Sequence, residues 1–361
     1  MKKFIGCDAH KKYSVFAVLH EDGKWGRNVR VEHREEDFAA FCREYAAGTP
    51  VAVEAGGSWY WVVDNLERGG LEVHLVNPVR THLHLMKRHK TDESDAKALA
   101  QLLRNGTLPE VWIPSAKLRD LRGLMRARLS LRSQGTLLKN RILAALRRHG
   151  CSPEKPMSDY FAGKGLLQLL NSIARLLVET RFATQTELDL LDSLEDRLAE
   201  MEKEIRLKIG SIGWVRRLKT MPGVGEILGA TIYLEIGDAA RFPSPQRLAS
   251  YAGLVPTLHA SGGKAYLGRT SRQSNQYLRW AFVEAANCIV MHGTRTKKES
   301  AHALALYARL KAAKGHSKAA VAVARHLAES AWWILQKKED YRPPGQAAGL
   351  SSKERASAEF F

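Results

Sequence analysis

The first residues of the chain constrain its fold more than any other stretch. Residues 2–10, KKFIGCDAH, form a short apolar run that charged residues bound and that carries one acid, Asp8, near its end. A second apolar run, residues 13–19, follows a pair of lysines. Runs of this length and composition are typical of buried strands. The pattern predicts a strand that brings the Asp8 carboxylate to the edge of a sheet.

Strand and helix signals then alternate up to about residue 104. After an Asp-Gly turn at residues 22–23, the predicted elements are strands at 25–31, 51–54 and 71–76, helices at 35–47, 58–66 and 91–104, and a basic loop at 82–90. Three strands followed by helix, strand, helix, strand and helix is the element order of the ribonuclease H fold. In that fold the first and fourth strands lie side by side.

Four acids stand where this fold would bring them together. Asp8 is near the end of the first strand and Glu54 ends the fourth. Asp92 and Asp95, three residues apart, share one face of their helix. A single acid at a strand end is common and usually structural, but four at convergent positions indicate a metal site that acts on nucleic acid. Clustered carboxylates repel one another unless a cation neutralises them, and an all-oxygen set suits Mg²⁺.

Charge is the most informative part of the composition. Lys and Arg number 56 against 38 Asp and Glu, a formal net charge of +18, and this excess favours a polyanionic partner. Between residues 117 and 149 the only acid is Asp120. A solvated helix face normally mixes both signs, so we expect a phosphate backbone to lie along this one. The predicted nucleic-acid contacts are Arg119, Arg122, Arg126, Arg128, Arg132, Lys139 and Arg141.

The next region has the period of a coiled coil. Apolar residues alternate in steps of three and four at Leu191, Leu194, Leu198, Met201 and Ile205. Such helices pair either within one chain or between two, and the pattern fits both. The predicted domains are an α/β domain at 1–112, a basic helical and coiled-coil domain at 113–210, a mainly helical domain at 211–340 and a disordered tail at 341–361.

Two glycine-rich segments stand out in the mainly helical domain. Residues 221–225, MPGVG, resemble the turn of helix-hairpin-helix DNA-binding modules, in which backbone N–H groups contact phosphate. A tight turn between two helices is an equally good interpretation. The other segment is Ser261-Gly-Gly, and its composition alone favours a flexible loop.

The cysteines and the apolar runs bear on the compartment. There are 4 cysteines and no Cys-x-x-Cys pair, which argues against a zinc ribbon or a disulfide framework and fits a reducing cytoplasm. Asp8 inside the first apolar run argues against a secretory signal, and no apolar run is long enough to cross a bilayer. We expect a cytoplasmic protein with no membrane partner.

Several motifs together resemble a known family. They are GCDAHK at 6–11, VEAG at 53–56, KTDESDA at 90–96, MPGVG at 221–225, AGLVP at 252–256 and ASG at 260–262. Their identity and order are similar to those of the DEDD insertion-sequence transposases. These are bridge-RNA-guided recombinases with a RuvC-like domain and a serine-bearing transposase domain. The resemblance covers most of the chain, with a helical coiled-coil insert between the two groups of motifs.

The resemblance implies roles for the residues and partners for the chain. Asp8, Glu54, Asp92 and Asp95 would be the RuvC-like acidic residues, and Ser261 the nucleophile that becomes covalently joined to DNA. The cations expected to stabilise the pentavalent phosphate are Lys264 and Arg269. Family members bind a noncoding RNA that pairs with donor and target DNA, and they assemble as tetramers. We therefore expect DNA, a noncoding RNA and further copies of the chain, as a dimer or tetramer, as partners.

Three functions fit the sequence. The first is a DNA recombinase that uses a Mg²⁺ carboxylate site and Ser261. The second is a metal-dependent, structure-specific endonuclease of the Holliday-junction type, in which water attacks and Ser261 is dispensable. The third is a non-catalytic scaffold for RNA or DNA, which the four acids disfavour because bare carboxylates repel phosphate. We expect the recombinase.

Overall fold

The computed structural model of the protein describes residues 2–85, 91–261, 264–271, 273–292 and 297–344. The chain forms two compact units, Met1–Ala116 and Lys117–Phe361, called unit 1 and unit 2 below. Within the described ranges, no helix combines the length and the apolar composition needed to span a membrane. The four cysteines are free. The boundaries predicted at 210 and 340 stay predictions.

Unit 1 is a mixed α/β domain built on a five-stranded sheet. Its strands are β1 (Lys3–Ala9), β2 (Tyr13–His20), β3 (Trp25–Glu32), β4 (Pro50–Glu54) and β5 (Glu72–Val76). Its helices are α1 (Glu35–Cys42), α2 (Trp59–Arg68), α3 (Pro78–Leu85) and α4 (Asp92–Arg104). The sequence predicted all of these elements except α3.

The sheet has the strand order β3-β2-β1-β4-β5. Strand β2 runs antiparallel to both β1 and β3, whereas β4 lies parallel to both β1 and β5. The parallel pairing of β1 with β4 aligns Cys7 with Val53. The next residues, Asp8 and Glu54, therefore come side by side at one end of the sheet. The prediction that the first and fourth strands are neighbours is confirmed.

Alternation along the strands divides the core between the two faces of the sheet. Ile5 and Val53 are completely buried in the core that the sheet forms with α1 and α2. Ala52, between such positions, is buried against α4 on the opposite face. By the same alternation Asp8 and Glu54 belong to the face that α4 covers. The strand period thus directs both carboxylates towards this helix.

Gly6 lets α4 lie directly on the sheet. A Cβ atom at this position would come within 1.9 Å of the Ala96 carbonyl oxygen and 2.6 Å of the Ala100 amide nitrogen. Because both neighbours are helix backbone, a side chain at position 6 would push α4 away from β1. The contact therefore requires glycine, and it sets the height of α4 above the strand.

Helix α3 covers the first part of the stretch in which the sequence predicted a basic loop. The Asn77 side-chain oxygen accepts a hydrogen bond from the Arg80 amide (3.1 Å), and Pro78 occupies the first helical position. Asn at the N-cap and Pro at the next residue are helix-starting signals. The end of the strand predicted at residue 76 is confirmed, but the sequence did not predict the helix that these two residues begin. Residues 86–90 lie outside the described part of the chain.

Unit 2 is mainly helical. Its helices are α5 (Ala116–Arg148), α6 (Gly163–Ala174), α7 (Val178–Ile209), α8 (Gly213–Leu218), α9 (Glu226–Ile236), α10 (Pro245–Tyr251), α11 (Gln276–His292), α12 (Lys297–Lys314) and α13 (His316–Lys337). Helices α8 to α13 share one hydrophobic core, in which Leu218, Phe282 and Leu327 are completely buried. Burial of each such side chain contributes about 1.5–3 kcal/mol.

The long helices α5 and α7 pack antiparallel within the chain. Lys139 pairs with Glu195, and Arg128, about three turns earlier on α5, pairs with Glu202, which lies later on α7. Leu191, on the predicted coiled-coil seam, is buried in a cluster with α5 residues. Of the two pairings that the sequence left open, the structure contains the one within a single chain.

A two-stranded hairpin interrupts the helices of unit 2. Its strands are β6 (Pro256–Ser261) and β7 (Lys264–Thr270). The flexible loop favoured by composition at residues 261–263 falls mostly outside the described part of the chain, because only Ser261, the last residue of β6, is described. Ser261, the last residue of β6, pairs with Lys264, the first residue of β7, so the two strands run antiparallel from this point.

The base of this hairpin is tied to the start of α11. Arg279 donates hydrogen bonds to the Thr270 hydroxyl (2.7 Å) and to the Gly253 carbonyl. The Asn275 amide donates to the Tyr251 carbonyl (2.8 Å). Both chain segments that lead into the hairpin are therefore held against one helix.

The glycine-rich residues 221–225 form the turn between α8 and α9. Gly223 has a φ of 74°, and a Cβ atom there would lie 2.2 Å from the Ala285 carbonyl oxygen of α11. Met221 and Val224 are buried in the core. This packing against protein favours the tight interhelical turn among the two interpretations that the sequence allowed.

Replacing Gly6 with Ala should destabilise unit 1. The added methyl group overlaps helix backbone, and over-packing of this kind costs about 1–3 kcal/mol. We expect a lower urea-unfolding midpoint, measured by circular dichroism. Gly57→Ala is the matched control, because nothing lies within 4 Å of a Cβ atom at that position. Equal midpoints for the two variants would contradict the proposed close contact.

Candidate active site

Helix α4 carries two of the predicted acids, Asp92 and Asp95, in its first turn. The Thr91 hydroxyl accepts a hydrogen bond from the Ser94 amide, and the Thr91 amide donates to the Ser94 hydroxyl, both at 3.2 Å. This reciprocal capping fixes the first turn. Negative side chains at the start of a helix are also stabilised by its dipole. The two carboxylates are therefore presented by a well-defined backbone.

The structure brings Asp8 and Asp92 together with His10. One ligand atom from each of the three lies within 4.8 Å of the other two. His10 Nε2 is 3.3 Å from Asp8 Oδ2 and 3.0 Å from Asp92 Oδ2. Glu54 follows the residue that pairs with Cys7, and Asp95 lies one turn after Asp92. Both flank the group of three without belonging to it.

His10, the third member of this group, was not among the site residues that the sequence predicted. Its Nε2 atom is shielded from solvent and makes no hydrogen bond of good geometry with any described residue. A buried polar atom left without a hydrogen bond costs stability. With its ring nitrogen between two carboxylates, His10 can complete a group of three residues able to hold a metal ion. The sequence signal was weak, because only the spacing from Asp8 placed His10 near the site.

Tyr13 supports Asp92 from the neighbouring strand and was also missed. Its hydroxyl donates to Asp92 Oδ2 (3.1 Å), and its ring centroid lies 4.7 Å from that of His10. The Arg30 guanidinium stacks over the same ring, 3.7 Å from its centroid. The hydrogen bond to Asp92, with a smaller effect from desolvation, raises the pKa of Tyr13. Tyr13 therefore remains a neutral donor that orients the carboxylate.

The donors in this group suit a divalent cation. Carboxylate oxygens are the ligands that Mg²⁺ and Mn²⁺ prefer, and imidazole nitrogen is a better ligand for transition metals than for Mg²⁺. The sequence predicted an all-oxygen set, whereas the structure adds one nitrogen from His10. Mn²⁺ therefore fits the three donors at least as well as Mg²⁺.

Replacing His10 with Ala should weaken Mn²⁺ binding about tenfold or more, because an imidazole that holds or supports the metal is lost. Mg²⁺ binding should change less, since it depends on the oxygens. Calorimetric titration of the full chain measures both affinities. His20→Ala, at the far end of β2, is the control. Unchanged Mn²⁺ affinity in His10→Ala would remove this residue from the ligand set.

Comparison with known proteins gives the family. Residues 215–312 match the family model described as "Transposase IS116/IS110/IS902 family". Residues 5–150 match a second transposase model, that of the IS110 DEDD transposases. Together the two matches cover more than half of the chain. The chain belongs to the IS110 family of DEDD transposases. It is therefore a DNA transposase, an enzyme that acts in the transposition of an insertion sequence.

Curated relatives align with nearly the whole length of this transposase. The transposase for insertion sequence element IS1111A of Coxiella burnetii is 24% identical over 342 residues, which are 94% of this chain and 91% of that protein. A probable family 20 transposase of Pseudomonas aeruginosa is 27% identical, covering 94% and 98%. A putative transposase of Sinorhizobium fredii is 29% identical, covering 95% and 87%.

In the transposase, Ser261 ends β6 at the tip of the hairpin, where its backbone pairs with that of Lys264. The side chains of Ser261 and Lys264 lie outside the described part of the structure. Arg269, further along β7, is exposed. Ser261 belongs to unit 2, whereas the carboxylates belong to unit 1. The catalytic residues suggested by the sequence are thus divided between the two units.

Three of the arginines predicted to contact phosphate are buried inside unit 2. Arg119, Arg122 and Arg128 expose only 4%, 6% and 7% of their surface. Arg122 donates to the carbonyl oxygens of Leu234 (2.6 Å) and Glu235 (3.0 Å). Their predicted role was wrong, because these side chains are enclosed by protein and cannot lie along a nucleic acid.

Other cations of α5 pair with acids of α7. Lys139 Nζ lies 2.7 Å from a Glu195 carboxylate oxygen, and Arg141 pairs with Glu187. The one-sided charge of residues 117–149 is thus balanced by a distant part of the sequence. Arg132 is exposed and makes no ion pair with any described residue. Its predicted contact with nucleic acid, like those of Lys139 and Arg141, stays a prediction.

Glu235, on α9, is the acid at the centre of these buried charges. Its side chain is 2% exposed and accepts two hydrogen bonds from Arg126 (2.7 and 2.8 Å) and one from Asn275 (2.7 Å). Burial raises the pKa of Glu235, but the hydrogen bonds from Arg126 and Asn275 outweigh burial, so the pKa lies below its usual value. The ionised carboxylate therefore connects α5, α9 and the start of α11.

Replacing Glu235 with Gln should destabilise unit 2 by about 3 kcal/mol at pH 7, because the half-buried Arg126 and the buried Arg122 lose their counter-charge. Since the folded pKa lies below the unfolded value of about 4.3, this stabilisation is complete above that pH. It is lost as the pH falls through the folded pKa.

Urea unfolding of wild type and Glu235→Gln between pH 7 and pH 3 measures this effect. The stability difference between them should shrink on acidification. Glu200→Gln, which removes an exposed acid whose one ion pair within the described part of the chain is with Arg197, should leave stability nearly unchanged. A difference for Glu235→Gln that stays constant down to pH 3 would contradict the lowered pKa.

Proposed function

We propose that this transposase cuts and rejoins DNA strands with a divalent-metal centre in unit 1 and Ser261 in unit 2. Unit 1 is, in this proposal, an RNase H-like domain of the RuvC type. Asp8, Asp92 and His10 form the centre, with Glu54 and Asp95 at its border. The meeting of Asp8 from β1 with Asp92 from α4 is the observation that supports the proposal most.

Each group has a definite task. A divalent cation held by Asp8, Asp92 and His10, Mg²⁺ in this proposal, would neutralise charge and polarise a phosphate oxygen of DNA. Tyr13 keeps Asp92 oriented through its hydrogen bond. Glu54 and Asp95 add negative charge at the border of the group and raise its attraction for cations.

Ser261 acts as the nucleophile in this proposal. Its oxygen forms a bond to phosphorus while the bond to one DNA oxygen breaks. The serine proton passes to water, and the departing DNA oxygen takes up a proton. The phosphoserine conserves the energy of the broken phosphodiester, so a DNA hydroxyl can attack it later and release Ser261. Lys264 and Arg269 supply positive charge for the pentavalent phosphate.

The proposal also names the partners. The net charge of +18 supports binding of polyanions. Donor and target DNA would be selected by a noncoding bridge RNA, as the resemblance to bridge-RNA-guided recombinases suggests. A dimer or tetramer would allow unit 2 of one chain to act with unit 1 of another.

A substrate with a nick near the cleavage point tests the nucleophile, because the cut fragment diffuses away and rejoining is blocked. Wild type should accumulate a denaturation-resistant protein–DNA adduct that maps to Ser261 by peptide mass. Ser261→Ala should give no adduct but should still bind DNA. Ser250→Ala, an exposed serine on α10, is the matched control and should behave as wild type.

The metal centre is tested on the same substrate. Asp8→Asn should prevent both cleavage and adduct formation while DNA binding persists. If Ser261→Ala cuts normally and releases free ends, water is the nucleophile and the protein acts as a metal-dependent endonuclease. If Asp8→Asn still forms the adduct, the carboxylate centre is not required for the serine step.

A further inference from the structure

An open groove of about 810 Å³ lies between α5 and α11 of unit 2. Two aromatic side chains of α11 line it, Tyr277 and Trp280, and each is 36% exposed. They are three residues apart and therefore share one face of the helix. Single exposed aromatic residues are ordinary on protein surfaces. Two adjacent ones inside a groove offer a flat apolar platform.

One ring of this platform is held in place. The Arg126 guanidinium lies over the Tyr277 ring, 4.6 Å from its centroid. Arg126 is itself fixed by two hydrogen bonds to the buried Glu235 carboxylate. A chain of contacts thus runs from a buried acid to an exposed ring. The orientation of the ring is set before any ligand arrives, which lowers the entropic cost of binding.

The charge of the groove is one-sided. None of the described residues that line it is Asp or Glu. Arg132, on its α5 side, is exposed and forms no ion pair with the described residues. Lys139 and Arg141, on the same helix, are each paired with a glutamate of α7. Arg132 is therefore a cation available to a ligand in the groove.

Amide groups complete the lining. Gln134 and Asn140 from α5 are exposed in the groove. An amide side chain offers both hydrogen-bond donors and an acceptor. It can therefore contact the edge of a flat heterocycle that lies against the rings. The groove combines a flat apolar surface, neutral amides and one cation.

We propose that this groove binds an unpaired nucleotide of a single-stranded nucleic acid. The base stacks on Trp280 and Tyr277, the amides contact its edge, and Arg132 contacts the adjoining phosphate. Stacking on aromatic side chains beside a basic groove is how single strands are bound. Bases inside a duplex are already stacked and cannot reach the rings. This inference rests on the proposed function, in which nucleic acids are the partners, and it names one place where a single strand is held. The binding needs neither the metal centre nor Ser261, so its failure in the test below is distinguishable from failure of the cleavage chemistry.

Anisotropy titrations with labelled oligonucleotides of about 12 residues test the proposal. The probes are oligo-dT, oligo-rU and a DNA duplex, all without divalent metal. Tyr277→Ala and Trp280→Ala should each weaken single-strand binding about tenfold and leave duplex binding unchanged. Trp280→Phe, which keeps a ring, should retain most of the affinity. Trp333→Ala, an exposed tryptophan of α13 that is 47% exposed, is the matched control.

Salt dependence separates stacking from charge. Arg132→Gln should lower the slope of log affinity against log salt by about 0.7 for a single strand, the value for one lost phosphate contact. Trp280→Ala should leave that slope unchanged, because stacking releases no counterions. This pair of results distinguishes a nucleotide site from a general loss of positive charge.

A tenfold loss on oligo-dT alone or on oligo-rU alone supports the site and assigns the kind of strand, DNA or RNA, that it prefers. Unchanged single-strand affinity in Trp280→Ala would overturn the proposal, and the groove would then be a surface for a ligand other than nucleic acid. An equal loss on the duplex, or an equal loss in Trp333→Ala, would also overturn it.

Discussion

The contact between α4 and Gly6 determines whether unit 1 has a site at all. The helix backbone rests on the strand with no side chain between them. Asp8 is two residues after Gly6 on the same face, and Asp92 begins the helix. A larger residue at position 6 would push α4 away from the sheet and so separate these carboxylates. Gly6 has no reactive side chain, yet it controls the relative positions of the Asp8 and Asp92 carboxylates.

In unit 2 the role of each arginine of α5 depends on the groups that surround it. Arg122 and Arg128 are enclosed and bonded to protein oxygens. Arg126 is half-exposed, with its charge balanced by Glu235 and its flat face over Tyr277. Arg132, on the same helix, faces solvent. Positions only a few residues apart therefore hold structural, positioning and free cations.

The sequence predicted the features that follow from the spacing of apolar residues and from the order of strands and helices. The strands of unit 1, the neighbouring β1 and β4 and the helix that begins with Asp92 follow from alternation, acids at strand ends and a Thr cap. The carboxylate pair Asp8 and Asp92 came from the same reasoning. His10 was missed because its importance lies in contact with Asp92, which is distant in the chain.

The errors have the same origin. The basic character of α5 was visible, but the acids that neutralise it, such as Glu235 and Glu195, belong to other helices. The helix α3 and the hairpin were missed because Asn-Pro and Gly-Gly each signal two different structures. Packing against residues distant in the chain decides which of the two structures forms, and a short stretch of sequence does not contain that information.

The β6–β7 hairpin is attached to the helical core at its base. Hydrogen bonds from Arg279 to Thr270 and from Asn275 to Tyr251 hold the two chain segments at this base against the start of α11. The six residues of β6 extend about 20 Å at the usual rise of a strand, and Ser261 is the last of them. In the proposed function, the length of β6 would therefore set how far from the helical core Ser261 meets a DNA strand.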